Sequence, residues 1–358
     1  MAAPSRDPVD DLRRIAFLLE RSNQPSYRVK AFRGAAATLT GLLAGELAER
    51  AGAGTLRELP GIGEKTAAVI AESIRGEEPA YLRRVEDETG GGTKLPTGDE
   101  ARTDERAVAL RAALRGDCHT HSDWSDGGSP IDEMADTARR LGHDYVVLTD
   151  HSPRLTVARG LTAERLEQQL EVVSALNEQL APFRILTGIE VDILDDGSLD
   201  QSDELLGRVD VVVASVHSKL KMAEMEMTQR MVGAIANPHT DILGHCTGRL
   251  VTGGRGTRPE SQFDAEIVFA ACERFGVAVE INSRPERQDP PKRLLRLAVE
   301  LGCLFSIDTD AHAPGQLDWQ LLGCARAVDC EVPTERVVNT WAEADLLAWA
   351  ADHWTLPS

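Results

Sequence analysis

Histidines and carboxylates recur at the ends of short apolar segments in the last two-thirds of the chain. His119 and His121 are separated by one residue, and Asp310 and His312 repeat that spacing at the last segment of the series. Alternate residues of a strand project from the same face, so each pair is placed to chelate a metal ion. The full set of candidate ligands is His119, His121, Asp126, His151, Glu190, His217, His245, Asp310 and His312.

The size and composition of this set indicate more than one metal ion. Imidazoles mixed with carboxylates suit Zn, Mn or Fe, and nine ligands are too many for one ion. A single histidine is more often a packed or capping residue than a ligand. Here, however, six of the nine histidines in the chain belong to the set. We therefore expect a site for two or three divalent metal ions.

The ligands must be positioned by seven apolar segments that begin near residue 116 and are separated by helical patterns. Alternating strands and helices predict an α/β fold with a parallel sheet and helices outside it. Because the candidate ligands lie at the C-terminal ends of the segments, a closed or nearly closed barrel is favoured over an open sheet. In barrel enzymes, that end carries the chemistry.

The patterns along the chain predict four parts. A small all-α domain covers residues 1–85, and a linker with a glycine-rich stretch at 89–98 covers residues 86–114. The barrel covers residues 115–330, and residues 331–358 form a closing helix on its outside. A length of 358 residues with 42% hydrophobic content is sufficient for two domains.

Composition limits where the protein works and what it binds. The chain has no signal-like start and no apolar run long enough to span a membrane, so we expect a cytoplasmic protein without a membrane partner. Its six cysteines form no CxxC pair and are expected to be reduced. The net charge of −19 argues against binding nucleic acid by bulk electrostatics, although residues 1–75 carry 11 basic and 9 acidic side chains. The oligomeric state stays open.

The order of the ligand motifs resembles the polymerase and histidinol phosphatase (PHP) superfamily of metal-dependent phosphoesterases. The motifs are His-x-His followed by Asp after four residues, Thr-Asp-His, Gly-Ile-Glu, Ser-Val-His, Leu-Gly-His, Glu-Ile-Asn and Asp-x-His. The resemblance implies a distorted seven-stranded (β/α)7 TIM-like barrel with a trinuclear site that hydrolyses phosphate esters. It also implies a division of the ligands: His119, His121, Glu190 and Asp310 at one metal; Glu190, His217 and His245 at a second; and Asp126, His151 and His312 at a third. Such ions activate water and offset charge on the phosphoryl oxygens.

Further polar residues near these motifs are candidates for supporting roles. They are Asp117, Asp150, Arg249, Arg284, Arg287, Lys219 and Asn282. The two aspartates adjoin ligand histidines and either orient them or cap turns. The arginines and the lysine are rim cations, each a candidate for gripping substrate phosphate or for an ordinary ion pair. The asparagine is expected beside the substrate rather than at a metal.

A tight turn between two predicted helices contains the sequence Pro60-Gly61-Ile62-Gly63-Glu64-Lys65. It resembles a helix-hairpin-helix motif, and with the segment from Tyr27 it is similar to the small N-terminal domain of family X DNA polymerases. The resemblance implies that Gly61, Ile62, Gly63 and Lys65 contact DNA, with backbone amides at phosphates. A Gly-x-Gly turn also occurs without any ligand. The linker is too short for a polymerase catalytic domain, so polymerase activity is not expected.

The patterns leave three functions open. The favoured one is a metal-dependent phosphoesterase acting on DNA ends in DNA repair, as a 3′-phosphatase, a 3′-5′ exonuclease or an enzyme that cleaves abasic sites. A small-molecule phosphatase of the histidinol-phosphate type would use the same barrel without DNA. A non-catalytic DNA-binding or scaffolding protein is the third, and the complete ligand set counts against it.

Overall fold

In a computed structural model, the chain is described over residues 6–89, 104–253 and 256–352. These residues divide into two compact units. The helical unit contains residues 6–89 together with Ala313–Gln316, and the barrel unit contains the other described residues. Most of the glycine-rich stretch in the predicted linker, residues 90–98, lies outside the described residues.

The helical unit consists of α-helices packed around an apolar core. Within residues 6–89 the helices are Pro8–Arg21, Ser26–Thr40, Ala44–Ala53, Glu64–Ile74 and Ala80–Thr89, with a 3₁₀ turn at Leu56–Glu58. The first helix begins where the Asp7 carboxylate accepts the Val9 amide at 2.8 Å, and Pro8 takes the first position. Its apolar residues share one face, so Leu12, Ile15 and Leu19 are buried in the core.

The barrel unit contains seven parallel strands that follow one another in sheet order. They are β1 (Gly116–Thr120), β2 (Tyr145–Leu148), β3 (Arg184–Asp192), β4 (Val211–Ser215), β5 (Ile242–Leu243), β6 (Ala278–Asn282) and β7 (Phe305–Asp308). The described helices around them are Glu105–Ala113, Ile131–Arg140, Ala163–Leu180, Asp203–Leu206, Glu224–Ile235, Ala265–Phe275, Lys292–Glu300, Gln320–Asp329 and Glu343–Ala351. Strands buried on both faces are typical of this arrangement, and all residues of β1, β2, β4, β5, β6 and β7 are buried.

β3 is the longest strand and joins two parts of the sheet. Its first half pairs with β2, where Leu148 faces Thr187, and its second half pairs with β4 from Gly188 onwards. A Cβ atom on Gly188 would lie 2.8 Å from the Val211 carbonyl oxygen, so the change of partner needs a glycine. Because β3 continues past the end of β2, it carries Glu190 to the C-terminal end of the barrel.

The barrel closes where β1 and β7 meet, mainly through side chains. Thr120 and Ala311 form an isolated parallel bridge. Asp117 accepts the Thr309 hydroxyl at 2.5 Å, and Asp308 accepts the Cys118 amide at 2.8 Å. The Asn339 amide also donates to the Ile307 carbonyl at 2.8 Å and to the Gly116 carbonyl at 3.2 Å. These contacts leave a nearly closed seven-stranded barrel, which confirms the predicted fold class of an α/β barrel preceded by a small helical domain.

Helices and 3₁₀ turns occupy the described residues of the predicted linker and C-terminal part, whose boundaries stay predictions. Residues 86–89 of the predicted linker continue the helix Ala80–Thr89, and residues 105–113 form a helix of their own. In the described part of 331–358, 3₁₀ turns at Thr334–Arg336 and Val338–Thr340 precede the helix Glu343–Ala351. Among the described residues, no helix has the length and apolar character needed to cross a membrane.

A Gly188→Ala substitution should destabilise the barrel by about 2 kcal/mol, because its Cβ would press on two backbone carbonyls and on Val147. The matched control is Gly34→Ala, at an exposed helical position with nothing within 4 Å of the new Cβ. There the exchange should stabilise the helix by about 1 kcal/mol. Urea unfolding followed by circular dichroism measures both effects. Equal midpoints for Gly188→Ala and the wild type would contradict the packing described for β3.

Candidate metal centre

The nine candidate ligands lie together at the C-terminal ends of the strands. His119 is in β1 and Glu190 in β3; His121 and Asp126 follow β1, His151 follows β2, His217 follows β4, His245 follows β5, and Asp310 and His312 follow β7. Three groups have ligand atoms within 4.8 Å of one another: His121, Asp126, His151 and His312; His119, His121 and Asp310; and His151, Glu190 and His217. The structure thus brings all nine to one end of the barrel, as their spacing in the sequence predicts.

The Glu190 carboxylate lies at the middle of this cluster. Its Oε2 atom is 3.3 Å from His119 Nε2, 3.5 Å from His121 Nε2 and 2.9 Å from His151 Nδ1. Its Oε1 atom is 3.2 Å from His217 Nε2 and 2.9 Å from His245 Nε2. Five imidazoles therefore surround one buried carboxylate, and each oxygen faces a different set of rings.

Two further carboxylates, those of Asp126 and Asp310, face the histidines, and Asp126 lies toward the solvent. Asp126 Oδ1 is 3.5 Å from His151 Nε2 and 3.3 Å from His312 Nε2. Asp310 Oδ1 is 3.4 Å from His121 Nε2. His121 also belongs to the group that contains Asp126, and His151 lies between Asp126 and Glu190, so the observed groups overlap more than the implied ligand sets, which share only Glu190.

The polar atoms in this cluster fit bound metal ions. Glu190 Oε1 and Oε2, His119 Nε2, His151 Nδ1, and both ring nitrogens of His121 and His245 are buried without a hydrogen-bond partner. Burying polar atoms unpaired costs free energy, and such atoms rarely occur together without a role. Nitrogen and oxygen atoms that converge without hydrogen bonds are suited to share cations instead.

Burial and neighbouring charges shift the pKa values of the cluster in both directions: burial lowers those of His119 and His217, but the charge of Glu190 outweighs it and raises them. Burial lowers the pKa of His121 to about 3, so its ring is neutral at physiological pH. Burial acts to raise the pKa of Glu190, but the surrounding imidazoles, His119 foremost, hold it well below its ordinary value. The same opposition occurs at Asp310, where Arg287, His121 and Arg284 together outweigh burial and keep the pKa low. Both carboxylates are therefore ionised.

Two carboxylates that the sequence analysis does not assign to the site orient ligand rings. Glu280 Oε1 accepts His119 Nδ1–H at 2.7 Å, and its other oxygen accepts the His245 amide. Asp192 Oδ1 accepts His217 Nδ1–H at 3.1 Å. In both rings the opposite nitrogen, Nε2, is left facing Glu190, which is the usual arrangement for metal-binding histidines. In the sequence, Glu280 lies two residues before Asn282, and Asp192 lies two residues after Glu190. Each therefore shares a strand face with a predicted site residue, which is the signal that could have found it.

The two aspartates predicted beside ligand histidines contact backbone and hydroxyl groups instead of imidazole rings. Asp117 accepts the Thr309 hydroxyl and the His119 amide at the joint between β1 and β7. Asp150 accepts the hydroxyls of Ser122 and Ser125, each at 2.5 Å, and so shapes the loop that carries Asp126. Both position ligands through the backbone, and any catalytic role stays a prediction.

Arg284, Arg287 and Asn282 surround Asp310. Arg287 Nε donates to Asp310 Oδ2 at 2.9 Å, and Asn282 Nδ2 lies 3.3 Å from the same oxygen. Arg284 Nη1 lies 3.1 Å from the Asp310 carbonyl oxygen and 3.2 Å from His312 Nδ1. These three predicted substrate-contacting residues are therefore at the cluster, where they also fix the position of Asp310.

Arg249 and Lys219 are engaged away from the ligand cluster. Arg249 donates to the carbonyl oxygens of Arg287 and Gln288 and lies 3.4 Å from Glu260. Lys219 Nζ forms an ion pair with Asp195 at 2.5 Å, and its side chain is largely exposed. Both form the ion pairs that the sequence leaves open for them, and contact with a substrate stays a prediction.

The predicted hairpin turn lies on the surface of the helical unit. Gly61 has a φ of 75°, which favours glycine, while Ile62 is buried. Gly63 precedes the helix Glu64–Ile74, and its amide donates to Thr66 Oγ1 at 2.9 Å. Gly61, Gly63 and Lys65 are exposed. The first amides of a helix have no intrahelical acceptor, so this turn is suited to bind an anion.

Known families match both units. Residues 117–284 match the PHP domain, and residues 3–78 match a helix-hairpin-helix domain. A protein of Bacillus subtilis (strain 168), DNA polymerase/3'-5' exonuclease PolX, is 38% identical over 255 residues, which are 71% of this chain and 44% of that protein. The chain thus spans less than half the length of that relative.

Two further proteins are similar to part of the chain. A probable phosphatase of Thermoanaerobacter sp. (strain X514) is 30% identical over 207 residues, covering 55% of this chain and 78% of that protein. A solved structure of histidinol phosphate phosphatase from Lactococcus lactis has a TM-score of 0.44 and 18% identity, covering 60% of this chain and 92% of that one.

Replacing Glu280 by Gln should weaken metal binding roughly 10- to 100-fold. The amide can still accept one hydrogen bond, but its NH₂ group then faces either the His119 ring N–H or the His245 amide. Competition of Zn(II) or Mn(II) with a fluorescent chelator measures the affinity. The control is Glu171→Gln, which is exposed on the helix Ala163–Leu180. Unchanged affinity in Glu280→Gln would show that the Glu280 contact does not support the ligands.

Proposed function

The chain belongs to the PHP family of metal-dependent phosphoesterases, and on that basis we propose that it hydrolyses phosphate esters at DNA ends in DNA repair. Removal of a 3′-phosphate, 3′-5′ trimming and cleavage at abasic sites are the reactions in this class. The observation that carries the DNA part is the exposed hairpin turn, with its helix-start amides, on the chain that also holds the ligand cluster.

The ligand cluster is proposed to hold three divalent ions, with Zn, Mn or Fe as candidates. His119, His121, Glu190 and Asp310 would hold one; Glu190, His217 and His245 a second; and Asp126, His151 and His312 a third. Bound ions of this kind activate water and offset the negative charge of the phosphoryl oxygens. Glu190 is suited to bind both the first and the second ion, because each of its oxygens faces a different group of rings.

The exposure of the ligands indicates how a phosphate reaches the cluster. The side chains of Asp126, His312 and His217 are 38%, 19% and 13% exposed, while those of the other six are nearly buried. Substrate is therefore proposed to enter beside Asp126 and His312. Arg284 lies next to His312 and is proposed to hold a phosphate oxygen, while Arg287 donates to Asp310.

DNA is proposed to bind the helical unit by its phosphates. Backbone amides at the start of the helix Glu64–Ile74 would receive a phosphate oxygen, with Lys65 adding a positive charge. This mode needs few basic residues, so the net charge of −19 is compatible with it. The Bacillus subtilis relative, named as a DNA polymerase and 3'-5' exonuclease, supports a DNA substrate.

A small-molecule phosphatase is the second candidate. It is favoured by the relative from Thermoanaerobacter, named a probable phosphatase, of which this chain covers 78%. A phosphate ester such as histidinol phosphate would use the same ligand cluster and leave the hairpin turn without a role in catalysis.

Turnover assays separate these candidates. Protein loaded with Mn(II) or Zn(II) is expected to act on 3′-phosphorylated, recessed or abasic duplexes. A His119→Ala, His121→Ala double variant should lose about 100-fold or more of that activity, since two ligands are removed. Turnover of histidinol phosphate alone would refute the DNA proposal. Fewer than two metal ions per chain in active protein, by elemental analysis, would refute the multinuclear assignment.

The hairpin turn can be tested without disturbing its fold. A Cβ atom on Gly63 would have nothing within 4 Å, and aspartate is a favourable residue at a helix start, so Gly63→Asp should preserve or raise the thermal midpoint. The added carboxylate should weaken binding of a DNA duplex about 10-fold by repelling its phosphates. Gly63→Asn is the uncharged control. Equal DNA affinity in both variants, measured by fluorescence anisotropy, would remove the turn from the DNA interface.

A further inference from the structure

The loop after β2 closes tightly on the ligand His151. The Leu161 amide donates to the His151 carbonyl at 2.7 Å, and the Ser152 amide donates to the Glu190 carbonyl at 3.0 Å. A Cβ atom on Gly160 would lie 1.8 Å from the Ser152 carbonyl oxygen, so the two ends of the loop touch. Arg165 Nη1 also donates to the Arg159 carbonyl at 2.6 Å. The loop is held rigidly beside the metal centre.

This rigid loop exposes an apolar side chain at its tip. Val157 is 90% exposed, more than any other large apolar side chain among the described residues, while its neighbour Ala158 is buried. A mobile tail can expose a valine without consequence, but here the surrounding hydrogen bonds fix its position. Loops held by a rigid scaffold commonly carry binding residues, so an apolar side chain fixed on this loop can contact a substrate.

Arginines stand on both sides of Val157. Arg154 and Arg159 are exposed, and within the described residues neither guanidinium forms a hydrogen bond or an ion pair. Arg159 also has a left-handed backbone, with φ 57° and ψ 37°, which disfavours residues other than glycine and asparagine. An arginine kept in an unfavourable conformation beside an active site suggests a use for its side chain.

From these observations we propose that the loop Ser152–Leu161 binds the strand next to the scissile phosphate, with a base packed on Val157 and neighbouring phosphates on Arg154 and Arg159. A nucleotide strand has this combination of apolar base faces and flanking phosphates, and a small amino-alcohol phosphate does not. The loop thus selects oligonucleotides over small phosphate esters. The inference rests on the proposed DNA-end function and adds the element that would determine specificity.

The test compares kcat/KM for a 3′-phosphorylated oligonucleotide with kcat/KM for p-nitrophenyl phosphate. Val157→Asp should lower the ratio of the two about 10-fold, since a charged group replaces the surface for the base. Arg159→Gly should lower the ratio similarly while keeping or raising the thermal midpoint, because glycine favours the left-handed backbone. The control is Ile267→Asp, at an apolar side chain 45% exposed on the helix Ala265–Phe275, which should leave the ratio unchanged.

The outcomes distinguish the two proposals. If the wild type hydrolyses the oligonucleotide and both loop variants keep its ratio, the assignment of the loop is wrong and the DNA-end function stands. If the wild type hydrolyses p-nitrophenyl phosphate but no oligonucleotide, the DNA-end function fails and the loop inference fails with it.

Discussion

The Glu190 carboxylate is the interaction on which the rest of the centre depends. It is buried among five imidazoles, at distances of 2.9 to 3.5 Å, and its oxygens have no hydrogen-bond donor. A charge in such a place is costly unless opposite charge compensates it. The rings around it lie in or just after four other strands, so five of the seven strands are needed to assemble them. Stability and chemistry therefore both depend on what neutralises this one group.

Several features of the fold serve to put Glu190 there and to fix its neighbours. β3 continues past β2 because Gly188 lets it change partners, and this extension carries Glu190 into the centre. Glu280 and Asp192 then select which nitrogen of His119 and His217 faces it. The acidic residues of this rim thus have separate tasks, since some face the cluster directly and others hold its rings in one orientation.

The sequence predicts the barrel and the nine candidate ligands, because the alternation of strands with helices and the position of a ligand at a strand end are local patterns. Parallel strands in this fold place their C-terminal ends on one rim, so strand-end residues such as His151 and His245 are predicted to meet. The contact of Glu280 with His119 is not predictable in this way, since it depends on how far β6 lies from β1 across a closed barrel. Arg249 shows the same limit: its sequence position fits the rim, but the conformation of the loop at Gln288 directs its guanidinium to backbone carbonyls. Side-chain direction in loops is set by tertiary packing.

The joint between β1 and β7 has a consequence for the order of folding. The hydrogen bond from Cys118 to Asp308 spans 190 residues of sequence, whereas the one from Thr120 to Thr149, between neighbouring strands, spans 29. Contacts of long sequence separation carry a larger entropy cost of loop closure and form slowly. His119 and His121 stand on one side of this joint, and Asp310 and His312 on the other. The ligand cluster is complete only where the two ends of the barrel have met, so a chain in which this joint is open has no complete metal site.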